Sequence, residues 1–131
     1  MTSDISVRIM SSAWFKEHNN YMSLDSEFST YFPKDCFIPR GTGKKNSPFL
    51  LERGIDIDYQ GAGESVRCFL EREKGGQFRP SNRGAIKKFF QGTEATVGDT
   101  IVFTRISPRR YQVSLKKNSD EFGPIKLKGS S

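Results

Sequence analysis

"IDIDYQGAGESVRCFLEREKGGQFRPSNRGAIKKFF", residues 55–90, is the stretch on which the fold turns. Its first part alternates: Ile55, Ile57 and Tyr59 fall on one side and Asp56 and Asp58 on the other, the period of a half-buried strand. "QGAG" is a turn, and "ESVRCFL" returns with Val66, Cys68 and Leu70 on one face, so residues 55–70 predict a hairpin. The last part changes period. Ile86, Phe89 and Phe90 stand at i, i+3 and i+4, one apolar stripe of a helix, with Ser81 or Asn82 as its N-cap and Gly92 as its end. Between hairpin and helix lies a basic loop containing the adjacent glycines Gly75 and Gly76.

Outward from this stretch, short apolar runs alternate with Gly, Pro, Ser and Asn clusters, without internal repeats or low-complexity segments. "ISVRIM" puts Ile5, Val7 and Ile9 on one face. "EFSTYF" predicts a strand with Phe28, Thr30 and Phe32 on one side, stopped by Pro33. "KDCFI" predicts one short helical turn before Pro39, and "RGTGKKNSP", residues 40–48, a loop. "ATVGDTIVFTRI" predicts a strand after a Gly-Asp turn, "SPRR" a tight connection, and "YQVSLK" a strand with Tyr111, Val113 and Leu115 inward. The tail "FGPIKLKGSS" predicts a further strand around residues 125–127. The sum is roughly seven short strands and one or two short helices: a mostly β fold, an open barrel or sandwich with helices at its ends.

A length of 131 residues suits one domain, residues 1–131. Eleven phenylalanines supply bulk for a core in a chain that is only 34% hydrophobic. No apolar run reaches membrane-span length, and "MTSDISVRIMSSAWF" lacks the basic start and apolar block of a secretory signal, so no membrane partner is expected. Cys36 and Cys68, in "DCFI" and "RCFL", are expected as reduced, buried thiols of an intracellular protein. With one histidine they do not make a four-ligand zinc site, and neither a metal nor another cofactor is expected.

Catalytic patterns are weak. His18 in "EHNN" resembles part of a His-Asn-His nuclease motif, which needs a second histidine that the chain lacks. Asp56 and Asp58 precede "LEREK", but the acid–lysine spacing of metal-dependent nucleases is missing, and alternation explains both acids as the wet face of a strand. "GTGKKNS" resembles a phosphate-binding loop without its strand–loop–helix setting or glycine spacing. A binding module is expected rather than an enzyme.

The net charge is +6, and it is clustered. Residues 72–90 carry Arg72, Lys74, Arg79, Arg83, Lys87 and Lys88 against Glu73 alone, and residues 105–117 carry Arg105, Arg109, Arg110, Lys116 and Lys117 with no acid. Solubility alone accounts for many basic surfaces; clustering shifts the reading toward nucleic acid. Lysine and arginine neutralise phosphates, whereas Arg, Asn, Gln, Asp and Glu match base edges. Candidate base readers are therefore Arg72, Gln77, Arg79, Asn82 and Arg83. Candidate phosphate contacts are Lys74, Ser81, Lys87 and Lys88, with Lys44 and Lys45 less sharply indicated; Lys87 and Lys88 equally suit the solvated face of a helix.

The order of these parts resembles a family. "TYFPKDCFIP", then "IDIDYQGAGESVRCFL", the basic loop, "RGAIKKFF" and "VGDTIVF" are together similar to the B3-type DNA-binding domain, over about residues 25–117. That domain occurs in plant transcription factors and in the target-recognition domains of certain restriction endonucleases. The wording "FRPSNRGAIKKFF" leans toward the second branch, and hence toward a bacterial, cytoplasmic setting. The resemblance implies a seven-stranded pseudobarrel clasping duplex DNA from the major groove with two arms. They correspond here to residues 72–83 and about 20–29. The second stretch, "NYMSLDSEFS", departs from the basic arms of plant members, and Asp25 or Glu27 becomes a candidate reader of cytosine; solubilising acids fit as well. Cleavage would belong to other nuclease domains or subunits of a parent enzyme. The extension at residues 1–20 is not covered. Three rivals stand: a single-stranded nucleic-acid or RNA binder on a small β-barrel, using Trp14 and Phe78 for stacking; a nuclease built on Asp56 or Asp58; and a module for an acidic protein.

Overall fold

The computed structural model describes residues 4–16, 19–61 and 64–118. Its larger sheet has five strands in the order β1-β9-β10-β5-β6: β1 is Asp4–Arg8, β9 Thr100–Ser107, β10 Arg110–Lys116, β5 Ile55–Tyr59 and β6 Glu64–Cys68. All neighbours are antiparallel except β10 and β5, which run parallel. A second sheet of three strands has the order β4-β7-β8, from Phe37–Pro39, Leu70–Arg72 and Phe78–Pro80, with β4 parallel to β7. A two-stranded ribbon pairs β2, Phe15–Lys16, with β3, Asn19–Asn20. Three helices complete it: α1, Gly43–Asn46; α2, Leu50–Arg53; and α3, Arg83–Thr93. The fold is the mostly β, open one expected, with more and shorter strands among the described residues than the seven anticipated.

The alternation read in "IDIDY" places Ile55, Ile57 and Tyr59 in the core and leaves Asp56 and Asp58 half-buried. The return strand does not run through. It stops at Cys68, turns at buried Phe69, and starts again at Leu70 in the other sheet. Ser81 pins this corner: its N–H donates to the Phe69 carbonyl at 2.9 Å, and its hydroxyl accepts the Phe69 N–H at 3.2 Å. Phe32 joins the sheets from inside. Its ring centroid lies 5.6 Å from Phe78 in β8, 6.0 Å from Phe103 in β9 and 4.9 Å from Tyr111 in β10. Such pairs each add about 0.5–1.5 kcal/mol beyond area burial.

Several expectations are corrected. "SEFSTY" is a 3-10 helix, not a strand, because Phe28 and Tyr31, one turn of three apart, turn one face toward the core. Residues 40–48 are not a plain loop: α1 lies within them, and a 3-10 turn over Ser47–Phe49 leads into α2. Helix α3 runs past Gly92 and ends where Glu94 takes a left-handed conformation at φ 56°. In the stretch that the family resemblance does not cover, β1 forms a sheet edge and Ile9 and Trp14 are buried. The strand expected around residues 125–127 lies outside the described residues.

"VGD" carries a staple. Asp99, buried just before β9, accepts from Thr96 N–H at 2.9 Å, Asn118 N–H at 2.8 Å and Lys117 Nζ at 3.0 Å, tying both ends of the β9–β10 pair together. Burial alone would raise its carboxyl; the hydrogen bonds from Asn118, Thr96 and Lys117 outweigh that and hold it below the usual range. A carboxyl depressed in the folded state contributes stability above its unfolded pKa, and loses it as pH falls through its folded pKa. Asp99→Ala is expected to lower unfolding free energy by about 3 kcal/mol at neutral pH. The gap from wild type should narrow in urea titrations repeated at about pH 3.

Candidate functional site

The hairpin between β7 and β8 ends in a tight tip. Glu73 N–H donates to Gln77 O at 2.8 Å, Gly76 N–H donates to Glu73 O at 3.1 Å, and Gly76 sits at φ +94°, where a side chain would be strained. Beside the tip, Leu24 and Phe78 exchange both backbone hydrogen bonds, at 2.8 and 3.0 Å. This two-residue bridge draws the start of the 3-10 helix alongside: a Cβ added at Gly76 would lie 3.4 Å from Ser26 Cβ. Asp25 and Glu27 are exposed there. The two stretches singled out from sequence, distant along the chain, are thus neighbours in the fold.

Charge organises the tip. Glu73 Oε1 accepts from Arg40 Nη1 at 3.2 Å, while Oε2 pairs with Arg79 Nε. Arg79 is only 9% exposed, and its guanidinium carbon stands 4.8 Å from the centre of the Tyr21 ring. It is an internal strut, with little surface left to offer a base edge, so its expected role as a reader shifts to one of support. Arg72 is exposed and packs 4.3 Å over the Phe37 ring, which orients its charge at the rim. Lys74 and Gln77 project into solvent. Arg40, absent from the sequence candidates, is 59% exposed at its side chain and belongs with them. It follows β4, and the parallel pairing of β4 with β7 that carries it there has no local signal in "FIPRG".

A second group gathers at the start of α3. Asn82 Oδ1 accepts Ala85 N–H at 3.0 Å, so this expected reader is the N-cap of the helix. Ser81, expected at a phosphate, serves the Phe69 corner. Arg83 is exposed in the first turn. Gly43 approaches Glu71 across a recess that Ser81, Asn82 and Arg83 also line, which places exposed Lys44 and Lys45 near the helix start. Lys87 and Lys88 are on the outer face of α3, and Lys88 reaches Glu64 of β6 at 3.4 Å, away from the tip.

At the β9–β10 hairpin the three arginines are engaged. Arg109 grips Asp35 with contacts of 2.7 and 2.9 Å and donates to Arg53 O, Arg110 pairs with Asp58 at 3.1 Å, and Arg105 donates to Tyr31 O at 2.9 Å. Asp56 pairs with Arg67 at 3.1 Å, so both acids considered for a nuclease neutralise strand neighbours. Burial pushes the Cys36 and Cys68 thiols up to about 12, leaving them protonated at neutral pH. Trp14 and Phe78, the candidate stacking platforms, are both buried. His18 lies outside the described residues.

Removing one partner of a buried ion pair strands the other, whereas an exposed cation–π contact is worth little. Glu73→Ala is therefore expected to cost about 3 kcal/mol of stability. Arg72→Ala should cost less than about 1 kcal/mol, with chemical denaturation as the measure.

No family model matches the chain, and no curated protein matches it. Among solved structures, the chain is similar to the N-terminal domain of Helicobacter pylori LlaJI.R1 at 12% identity and a TM-score of 0.49, covering 98% of each chain. At that identity and score the likeness carries no argument about function.

Proposed function

We propose that this chain is a module that binds duplex DNA in a sequence-specific way through the β7–β8 tip and the adjoining residues 25–27. The observation that carries it is the Leu24–Phe78 bridge, which sets exposed acids beside an exposed glycine-tipped hairpin bearing cations. The major groove of B-DNA, about 12 Å wide, admits a two-stranded ribbon of this kind. In this reading Gln77, Arg72 and Arg83 read base edges, and Asp25 or Glu27 accepts from a cytosine amino group. Lys74, Arg40, Lys44 and Lys45 meet phosphates. Asn82 and Ser81 act by positioning the helix start, and Arg79 by holding Glu73.

The B3 resemblance supports the same assignment, as a recognition domain whose cleavage partners are other domains or subunits. A single-strand binder is less well supported, because stacking needs exposed rings and Trp14 and Phe78 are inside. Among the described residues no helix is long and apolar enough to cross a membrane.

Selection from random duplex DNA is expected to enrich one motif. On that motif Gln77→Ala should cost about 1–3 kcal/mol and relax one base position. Lys74→Ala should weaken all sequences alike and lower the salt slope by about 1. Recovery of no motif from the wild-type protein would contradict the proposal.

A further inference from the structure

From Gly43 to Arg53 the chain is helical throughout: α1, the 3-10 turn over Ser47–Phe49 and α2 follow one another directly. Its amphipathicity is inverted. Gly43, Asn46, Leu50 and Arg53 form the half-buried stripe, whereas Pro48, Phe49 and Leu51 are exposed. Phe49 is 46% exposed, and Leu51, at 82%, is the most exposed large apolar side chain among the described residues. This ridge is held firmly from below. Arg67 Nη1 donates to Leu51 O at 3.0 Å and to Gly54 O at 3.1 Å, and Arg53 Nε donates to Asp35 O at 2.9 Å. The Arg53 guanidinium carbon also stands 5.7 Å from the centre of the Phe49 ring. A Cβ added at Gly54 would lie 2.6 Å from Leu50 O, so only glycine lets the run close onto β5 this tightly.

Charge decides what such a ridge fits. Lys44 and Lys45 are exposed in the same run and, with Arg53, outnumber its one acid, Glu52. A neutral protein surface would cover the apolar ridge but leave the lysines without a role; a duplex offers phosphates outside and stacked, apolar base faces within. We infer that Leu51, backed by Pro48, is a wedge that enters a base step beside the recognised motif and kinks the duplex. The inference rests on the proposed duplex binding and adds a bend to it. The run begins near the tip, where Arg40 and Gly41 share a groove with Lys74, and leads away toward Asp35, ahead of β4. From Gly43 to Leu51 it rises roughly 12 Å. Neighbouring major and minor grooves are centred about 17 Å apart, half a turn of duplex. With the tip in the major groove, Lys44 and Lys45 fall at the intervening phosphates and Leu51 at the next minor groove. Leu, Phe and Pro wedges inserted there unstack one step and bend the duplex by about 20–90°. Pyrimidine–purine steps unstack most easily, so such a step is preferred beside the motif although no side chain reads its base edges.

The test measures energy transfer between dyes at the two ends of the enriched duplex, and anisotropy records binding independently. A TA step is placed at each flanking position in turn and compared with a stiff A-tract. The whole chain is expected to bend the duplex by about 20–90° at one TA position and to bind that duplex several-fold more tightly than the A-tract one. Leu51→Ser, at an exposed position, should remove most of the bend and the flank preference while keeping the motif preference, with circular dichroism confirming the fold. Leu51→Met should retain both. Binding to a duplex that stays straight, or a bend that Leu51→Ser leaves unchanged, overturns the wedge and leaves duplex recognition standing. Leu51-dependent capture by phosphatidylserine vesicles alongside a straight duplex overturns it in favour of a membrane surface. No binding of duplex by anisotropy overturns both readings.

Discussion

One carboxylate sets the shape of the end of the molecule proposed to meet DNA. Glu73 follows β7, and it holds Arg79 from β8 on one oxygen and Arg40 from beyond β4 on the other. All three strands of the smaller sheet are therefore locked at the same end by a single acidic group. Arg79, only 9% exposed, is costly unless paired, and the geometry of its pair with Glu73 is what that pair contributes, more than net stability. With Arg79 packed against Tyr21, the hairpin tip has one place to sit. The exposed groups around it, Arg72, Lys74 and Gln77, inherit that position.

The core supplies the second constraint. A chain that switches sheets at Phe69 needs both sheets anchored to each other, and Phe32 does this by touching rings from each. Because interiors pack densely, such a cluster transmits position with little slack. The tip is thereby referenced to the five-stranded sheet, whose own strand ends are stapled by Asp99. The arginines of the β9–β10 hairpin serve the sheet and its neighbours, whereas Lys74 at the β7–β8 tip and Lys44 and Lys45 of α1 are exposed.

How much of this was legible in the sequence follows from which forces are local. "IDIDY", "YQVSLK" and the helix stripe at Ile86, Phe89 and Phe90 were legible because period alone reports one buried face. "SEFSTY" was misread: over so short a run, phenylalanines fit a strand or a tight helix equally, and packing on the core decides. Asn82 and Arg79 look like readers by residue type, but a cap and a buried strut are made of the same residue types. Nothing local marks Arg40, since the pairing of β4 with β7 spans thirty-odd residues of unrelated sequence. Asp25 and Glu27 were picked out through the family resemblance, and it is their closeness to the tip, a tertiary fact, that gives them weight.

The tip and residues 25–27 together form the face proposed to meet DNA. Backbone amide NMR titration with the enriched duplex tests it most directly. The largest shift changes are expected at Ser26, at residues 74–77 and at the Gly41–Lys45 amides, with β9 and β10 nearly silent. Changes centred on the β9–β10 hairpin, or on the outer face of α3 around Lys87 and Lys88, would contradict it.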